Sequence, residues 1–251
     1  MLPPHTRDLY HALKGSRGFA RLGSIADVGI GYVSGANDFF HPSAELVERF
    51  AIPSKYLRRA VRRGRALKGL RFTVADWQDA KLRQDASLLL HLRSAERELP
   101  SGLRRYLDLG KAARVDQRYK CRMRAPWYAV PHVHTGDALL TYMSGVRPSF
   151  CANEAQAVAT NTLHVVTLMP GAPSAERLAF AWLSSLTSLS VEIEGHTLGG
   201  GMLKLEPTEA ERVLLPIGLA PMNLEELEAN QEFVDECLLK TAGFHLPNAA
   251  C

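Results

Sequence analysis

The spacing of apolar and polar positions predicts a chain of short helices and short strands. Apolar residues three and four apart share a helix face, while alternate residues share a strand face. On that basis residues 6–14 read as a helix ended by Gly15-Ser16-Arg17-Gly18, and residues 43–50 as a second helix capped by Ser43. Over residues 55–68, Leu57, Ala60, Val61 and Leu67 fall on one helical stripe, and Arg58, Arg59, Arg62, Arg63 and Arg65 fill the rest. That predicts a helix with one packed and one cationic face. Helices are also expected from Asp76, over 103–115 and over 174–191, the last with Ser174 as N-cap and Gly195 beyond its end. A final helix is expected over 223–242, opened by Asn223 and Glu226 and closed by Gly243.

Strand-like runs occupy residues 22–33, 70–74, 87–92, 127–133, 139–142, 147–151 and 162–168. Pro131, Gly136, Gly145, Pro148 and Asn161 separate the later ones and suggest an antiparallel meander. The predicted class is α+β, with an antiparallel, partly barrel-like sheet, flanking helices and a helical C-terminal tail. Three regions follow: a helical lead over 1–20, a main domain over 21–216 and an acidic tail over 217–251.

Charge changes the picture more than composition does. The 251 residues are 46% hydrophobic and 22% charged, enough to bury a sizeable core. The net charge of +4 conceals an asymmetry, because from Leu205 onward nine acids face only Arg212 and Lys240. That tail carries −7 and leaves +11 on residues 1–204, a balance suited to a polyanionic partner. Eight bases and no acid lie between Lys55 and Arg71. Cys121, Cys151, Cys237 and Cys251 are scattered without a Cys-x-x-Cys pair, and there is no signal-like or membrane-spanning run. A reducing, cytoplasmic setting is expected, with no membrane and no cysteine zinc site.

Gly29-Ile-Gly-Tyr-Val-Ser-Gly-Ala-Asn-Asp-Phe-Phe40 is the most distinctive stretch. Gly29 and Gly31 could begin a dinucleotide fingerprint, but position 34 is Ser and no helical run follows. In Cys121-Arg-Met-Arg-Ala-Pro-Trp-Tyr128, Arg122 and Arg124 stand beside Trp127 and Tyr128. Arginines can neutralise phosphates or grip guanine edges, and aromatic rings can stack on bases; one of the two rings is expected to pack inward. Asn153, Gln156, Asn161 and His164 cluster further on, and amides can read adenine, although a turn role explains any one of them as well. His132 and His134 would share a strand face, but no third metal ligand stands near them. Asp76, Asp79 and Lys81 superficially resemble a nuclease set, yet a helix start explains them better.

Six motifs in order carry a family resemblance: residues 22–40, 121–128, Asn161-Thr-Leu-His164, Leu183-Ser-Ser185, Gly199-Gly-Gly-Met-Leu-Lys-Leu-Glu-Pro207 and Leu214-Leu-Pro216. Across roughly residues 20–216 the chain resembles the C-terminal target-recognition half of the N6-adenine DNA methyltransferases of restriction-modification systems. Enzymes of that family carry a glycine-rich S-adenosylmethionine loop and an Asn/Asp-Pro-Pro-Tyr/Phe motif upstream. Neither is found here, where the only Pro-Pro is Pro3-Pro4 after Met1-Leu2. The resemblance therefore implies a non-catalytic reader of double-stranded DNA, without a cofactor of its own. A separate methyltransferase subunit would bind S-adenosylmethionine and pair with it as a heterodimer. The implied DNA-contacting residues are Ser34, Gly35, Asn37, Arg58, Arg62, Arg63, Arg122, Arg124, Trp127, Tyr128, Asn161, His164 and Lys204. A stand-alone DNA-acting enzyme, either a nuclease or an atypical methyltransferase, is the alternative, and a remnant of a longer enzyme a third reading.

Overall fold

The computed structural model describes residues 4–92, 98–145 and 147–218; the helix expected over 223–242 lies outside these. The core is an antiparallel four-stranded sheet, ordered Ala26–Ile30, Leu163–Leu168, Ala138–Thr141, Phe150–Ala152. Pleating sends alternate side chains to opposite faces. Val28, Ala138, Leu140, Phe150 and Val166 accordingly join one core with Trp182, while Leu139, Cys151, Leu163 and Val165 join another with Phe72 and Trp77. With both faces covered, the run over residues 163–166 is buried at every position, so it reads as a continuous apolar stretch.

The 55–68 region is not the predicted helix. It forms a 3₁₀ turn at Ser54–Tyr56, a strand at Leu57–Val61 and another 3₁₀ turn at Gly64–Ala66. The strand lies at the centre of a second sheet, antiparallel to Ala86–Leu90 and parallel to Val158–Ala159. Ala60 and Val61 are both buried because the sheet is covered on two sides. Adjacent apolar residues there mimic part of a helical stripe, and tertiary pairing overrides the pattern. The 157–168 segment leaves this sheet to become a strand of the first, which ties the two together.

The helix expected over 174–191 is divided into Ala175–Trp182 and Ser185–Glu194. Ser184 starts the second piece, accepting the Thr187 N–H at 3.1 Å, while the Thr187 hydroxyl donates to the Ala181 carbonyl. A serine whose oxygen caps the backbone ends one helix as it opens the next. Residues 70–74 make only an isolated bridge, Arg71 to Ala152, before Thr73 and Asp76 form a capping box for the Val74–Leu82 helix. Residues 127–133 form turns rather than a strand.

Two smaller sheets complete the β-structure. Phe19–Arg21 pairs with Leu214–Pro216 near the Pro4–Lys14 helix, and His196–Leu198 with Met202–Lys204, the latter also pairing with Met143–Ser144. No sheet closes into a barrel among the described residues. The class is α+β, as predicted, with the β-structure divided into four pieces.

Candidate nucleic-acid interface

The distinctive glycine-rich stretch is a tightly seated turn. Gly31 passes so close to the backbone at Ala159 and Thr160 that no Cβ would fit. Tyr32 then bridges Thr160, and Gly35 takes φ +81°, a backbone region glycine enters without a Cβ clash. Ser34 is only 2% exposed; its hydroxyl donates to Asn37 Oδ1 and accepts the Ala36 N–H. Ser34 is therefore spent inside the turn, contrary to its expected place beside phosphate. Asn37 remains at the surface, where Asn37–Phe40 forms one helical turn. Phe39 stacks on Tyr106 at 4.7 Å, and the Tyr106 hydroxyl donates to the Phe39 carbonyl at 2.7 Å. The Ser101–Ala112 helix thus anchors the turn from behind.

A second segment clamps the same turn from the side. Arg118 donates two hydrogen bonds to the Asp38 carboxylate, at 2.6 and 2.8 Å, and holds that carboxyl below its ordinary pKa. Arg124 donates to the Ser34 and Val33 carbonyls at 2.8 and 2.7 Å. Cys121 is buried between them, with its thiol pKa pushed up by that burial. Arg124 is thereby a structural strut, although it was expected on DNA. What the clamp leaves outside is the Tyr119–Arg122 turn and Met123. Tyr119 is 63% exposed and Met123 71% exposed, with Lys120 and Arg122 each within 6 Å of the Tyr119 ring centre. Neither cation has an ion-pair partner among the described residues.

Beside this turn lies a cleft of about 440 Å³, whose walls include Ile30, Tyr32, Val33, Met123 and Pro131. The Tyr32 hydroxyl bonds His41 Nε2 at 2.8 Å. Burial, and then the charge of Arg62, drive the His41 pKa down to about 4, so the ring that shares this hydrogen bond is neutral at pH 7. Burial also raises the Tyr32 pKa, which keeps its proton in place. Arg62 has no ion-pair partner among the described residues, and its carbonyl accepts from the Thr160 and Thr162 hydroxyls. Asn161 is exposed next to them, its N–H held by the Tyr32 carbonyl.

The other expected contacts separate. Arg58 donates to Thr135 Oγ1 at 2.7 Å, and Arg63 lies 3.9 Å from Asp85. Asp85 is a buried carboxylate that also serves Arg65 at 2.8 Å and Arg83 at 3.9 Å. His164 is wholly buried, with Nε2 donating to the Leu205 carbonyl at 2.6 Å and its pKa lowered by burial. It cannot face DNA, because Tyr142 and the Leu205 backbone cover its ring on the sheet. Lys204 is paired with Glu206 at 2.6 Å, which raises the lysine pKa. Trp127 packs against Phe39 and Phe40, while Tyr128 lines a different cleft of about 510 Å³ with Lys55, Tyr56 and Arg104. His132 and His134 lie on a turn instead of a strand, and among the described residues no metal-ligand cluster of three forms. Sequence reading passed over Tyr119, although the bases flanking it in Arg118-Tyr-Lys-Cys-Arg mark a ring held at a polar surface.

Fold and site together define a mixed α+β domain that presents a rigid cationic turn beside a partly apolar cleft. The chain belongs to the family of the C-terminal domain of Type II methyltransferase M.Eco57I, which matches residues 1–242. It is 23% identical over 200 residues to Type II methyltransferase M.AccI of Acinetobacter calcoaceticus, covering 78% of this chain and 36% of that protein. It is 31% identical over 124 residues to Type II methyltransferase M.XamI of Xanthomonas campestris pv. amaranthicola, covering 49% of this chain and 22% of that protein. The chain thus spans roughly a third or less of these relatives. Among solved structures, the type IIG restriction endonuclease BpuSI matches 91% of this chain and 28% of its own, with a TM-score of 0.58 and 13% identity, a likeness of fold alone. No helix among the described residues is long and apolar enough to cross a membrane.

Proposed function

We propose that this chain reads double-stranded DNA for an adenine-N6 methyltransferase of a restriction-modification system. Methyl transfer and S-adenosylmethionine binding would belong to a separate catalytic subunit, in the cytoplasm. The observation that carries the reading is that Arg62, near Tyr32, and Lys120 and Arg122, on the Tyr119–Arg122 turn, lack acidic partners among the described residues, while Asn37 and Asn161 are exposed. Unpaired cations on a rigid surface suit phosphate, and exposed amides suit base edges. Membership in a methyltransferase C-terminal family supports the same role.

Duplex binding followed by fluorescence anisotropy across a salt series tests it. Each phosphate contact adds about 0.9 to the slope of log K against log salt. Arg62→Ala and Arg122→Ala should each flatten that slope by about one, without changing the thermal melt. Slopes equal to the parent's would refute the assignment of these two residues. S-adenosylmethionine binding or metal-dependent cleavage by the chain alone would favour the stand-alone enzyme.

A further inference from the structure

We infer that the Tyr119–Met123 turn is a wedge that enters duplex DNA at a base step and unstacks it, a role that rests on the DNA-reading assignment and extends it. Ten large apolar side chains are exposed among the described residues, and four of them, Ile30, Val33, Tyr119 and Met123, lie on or beside the one cleft. Such a concentration of exposed apolar surface marks a contact site. Its flanks are cationic, with Lys120 and Arg122 on either side of buried Cys121, so the complementary partner is a polyanion with apolar surfaces between its charges. Stacked bases between phosphates have that chemistry.

The turn is also stiff enough to act as a wedge. Two Arg118–Asp38 hydrogen bonds, two Arg124–carbonyl bonds and the buried Cys121 fix its base. Met123 therefore projects from a supported point. A thioether chain or a ring so placed can slip between bases while neighbouring cations hold the phosphates, as apolar wedges do in bent duplexes. The cleft of about 440 Å³ behind Met123 gives the displaced base edge a partly apolar wall of Ile30, Val33 and Pro131.

Unstacking unwinds the duplex, so the test is the topology of closed-circular DNA. Plasmid is relaxed by a topoisomerase with saturating amounts of the chain, and the topoisomers are resolved after the protein is removed. Anisotropy on a linear duplex reports occupancy in parallel. The parent should shift the distribution towards unwinding. Tyr119→Ala with Met123→Ala, both at exposed positions, should abolish the shift while binding weakens by less than about tenfold, since the stacking gain and the unstacking cost vanish together. Binding by the parent without a topological shift would overturn the wedge and leave the DNA-reading role intact. A double variant that keeps the shift, or one that loses binding entirely, would also overturn it. Failure of the parent to bind duplex at all would instead remove the underlying reading.

Discussion

Gly31→Ala should destabilise the protein severely while Gly29→Ala, two residues earlier in the same glycine-rich stretch, should not. An alanine Cβ at position 31 would stand 2.3 Å from the carbonyl oxygens of both Ala159 and Thr160, and 2.6 Å from the Thr160 carbonyl carbon. Carbon and oxygen rest at about 3.3 Å or more, so the segments must part by about 1 Å. All three nearest atoms are backbone, and none can rotate away. The separation would break the Gly31 N–H to Leu163 bond at 3.0 Å, the Tyr32 N–H to Ala159 bond at 2.9 Å and the Asn161 N–H to Tyr32 bond at 3.0 Å. Overpacking costs about 1–3 kcal/mol and two or three lost bonds about 1 kcal/mol each, for a total of about 3–6 kcal/mol. At 29 the nearest atom to a new Cβ is His134 Nε2 at 4.0 Å. Alanine there relieves a mid-strand glycine and should gain up to about 0.5–1 kcal/mol. Urea unfolding followed by tryptophan fluorescence, with melting temperature as a second readout, measures both. A fall of about 6–24 °C is expected for Gly31→Ala. Stability within about 0.5 kcal/mol of the parent would refute close backbone approach as the reason for glycine at 31.

Three further outcomes follow from named contacts. The His41 pKa lies at about 4 against an ordinary 6.5, so the unfolded chain takes up a proton first. Stability should therefore fall between about pH 6.5 and 4, by an amount on the order of 2–3 kcal/mol from this group, and His41→Gln should flatten that part of a pH series of urea melts. Asp85→Asn should cost about 1–2 kcal/mol in the same assay, because one buried carboxylate organises Arg63, Arg65 and Arg83, which keep access to water. Arg118→Ala cuts an exposed pair and should cost no more than about 1 kcal/mol, yet anisotropy should show weaker duplex binding, since Arg118 fixes the turn that carries Lys120 and Arg122.

Local rules were legible where one residue decides the structure. Ser43 and Ser174 could be read because each cap acts through its own side chain, whereas the helix expected from Asp76 starts at Val74, with Thr73 as its cap and Asp76 as the reciprocal member of the capping box. The 55–68 region was misread because Leu57, Ala60 and Val61 satisfy two periodicities in a short window, and the deciding partners lie about thirty and a hundred residues away in sequence. Ser184 divides a helix that apolar spacing alone would run through, because its hydroxyl can act as a cap or point to solvent with equal ease. At the candidate site the composition of the cationic runs was visible. Which cations were already engaged was not, because Asp38 and Asp85 lie far along the chain from several of the arginines they hold.

Engagement of the cations changes what the charge of this chain can do. A count over residues 55–71 finds eight bases and no acid, and eight phosphate contacts would imply a salt slope of about −7. Folding assigns Arg63 and Arg65 to Asp85, Arg71 to Glu154 and Glu176, Arg58 to Thr135 and Arg59 to the Ala155 carbonyl. Arg118 and Arg124 of the second run are likewise engaged, by the Asp38 carboxylate and by the Ser34 and Val33 carbonyls. Near Tyr32 and on the Tyr119–Arg122 turn, Arg62, Lys120 and Arg122 remain, for which the same rule gives a contribution of about −3. Much of the apparent DNA-binding charge is therefore already engaged within the fold. Arg118 and Arg124 stiffen the turn that presents Lys120, Arg122, Tyr119 and Met123, so the precision of that presentation depends on arginines already engaged within the fold.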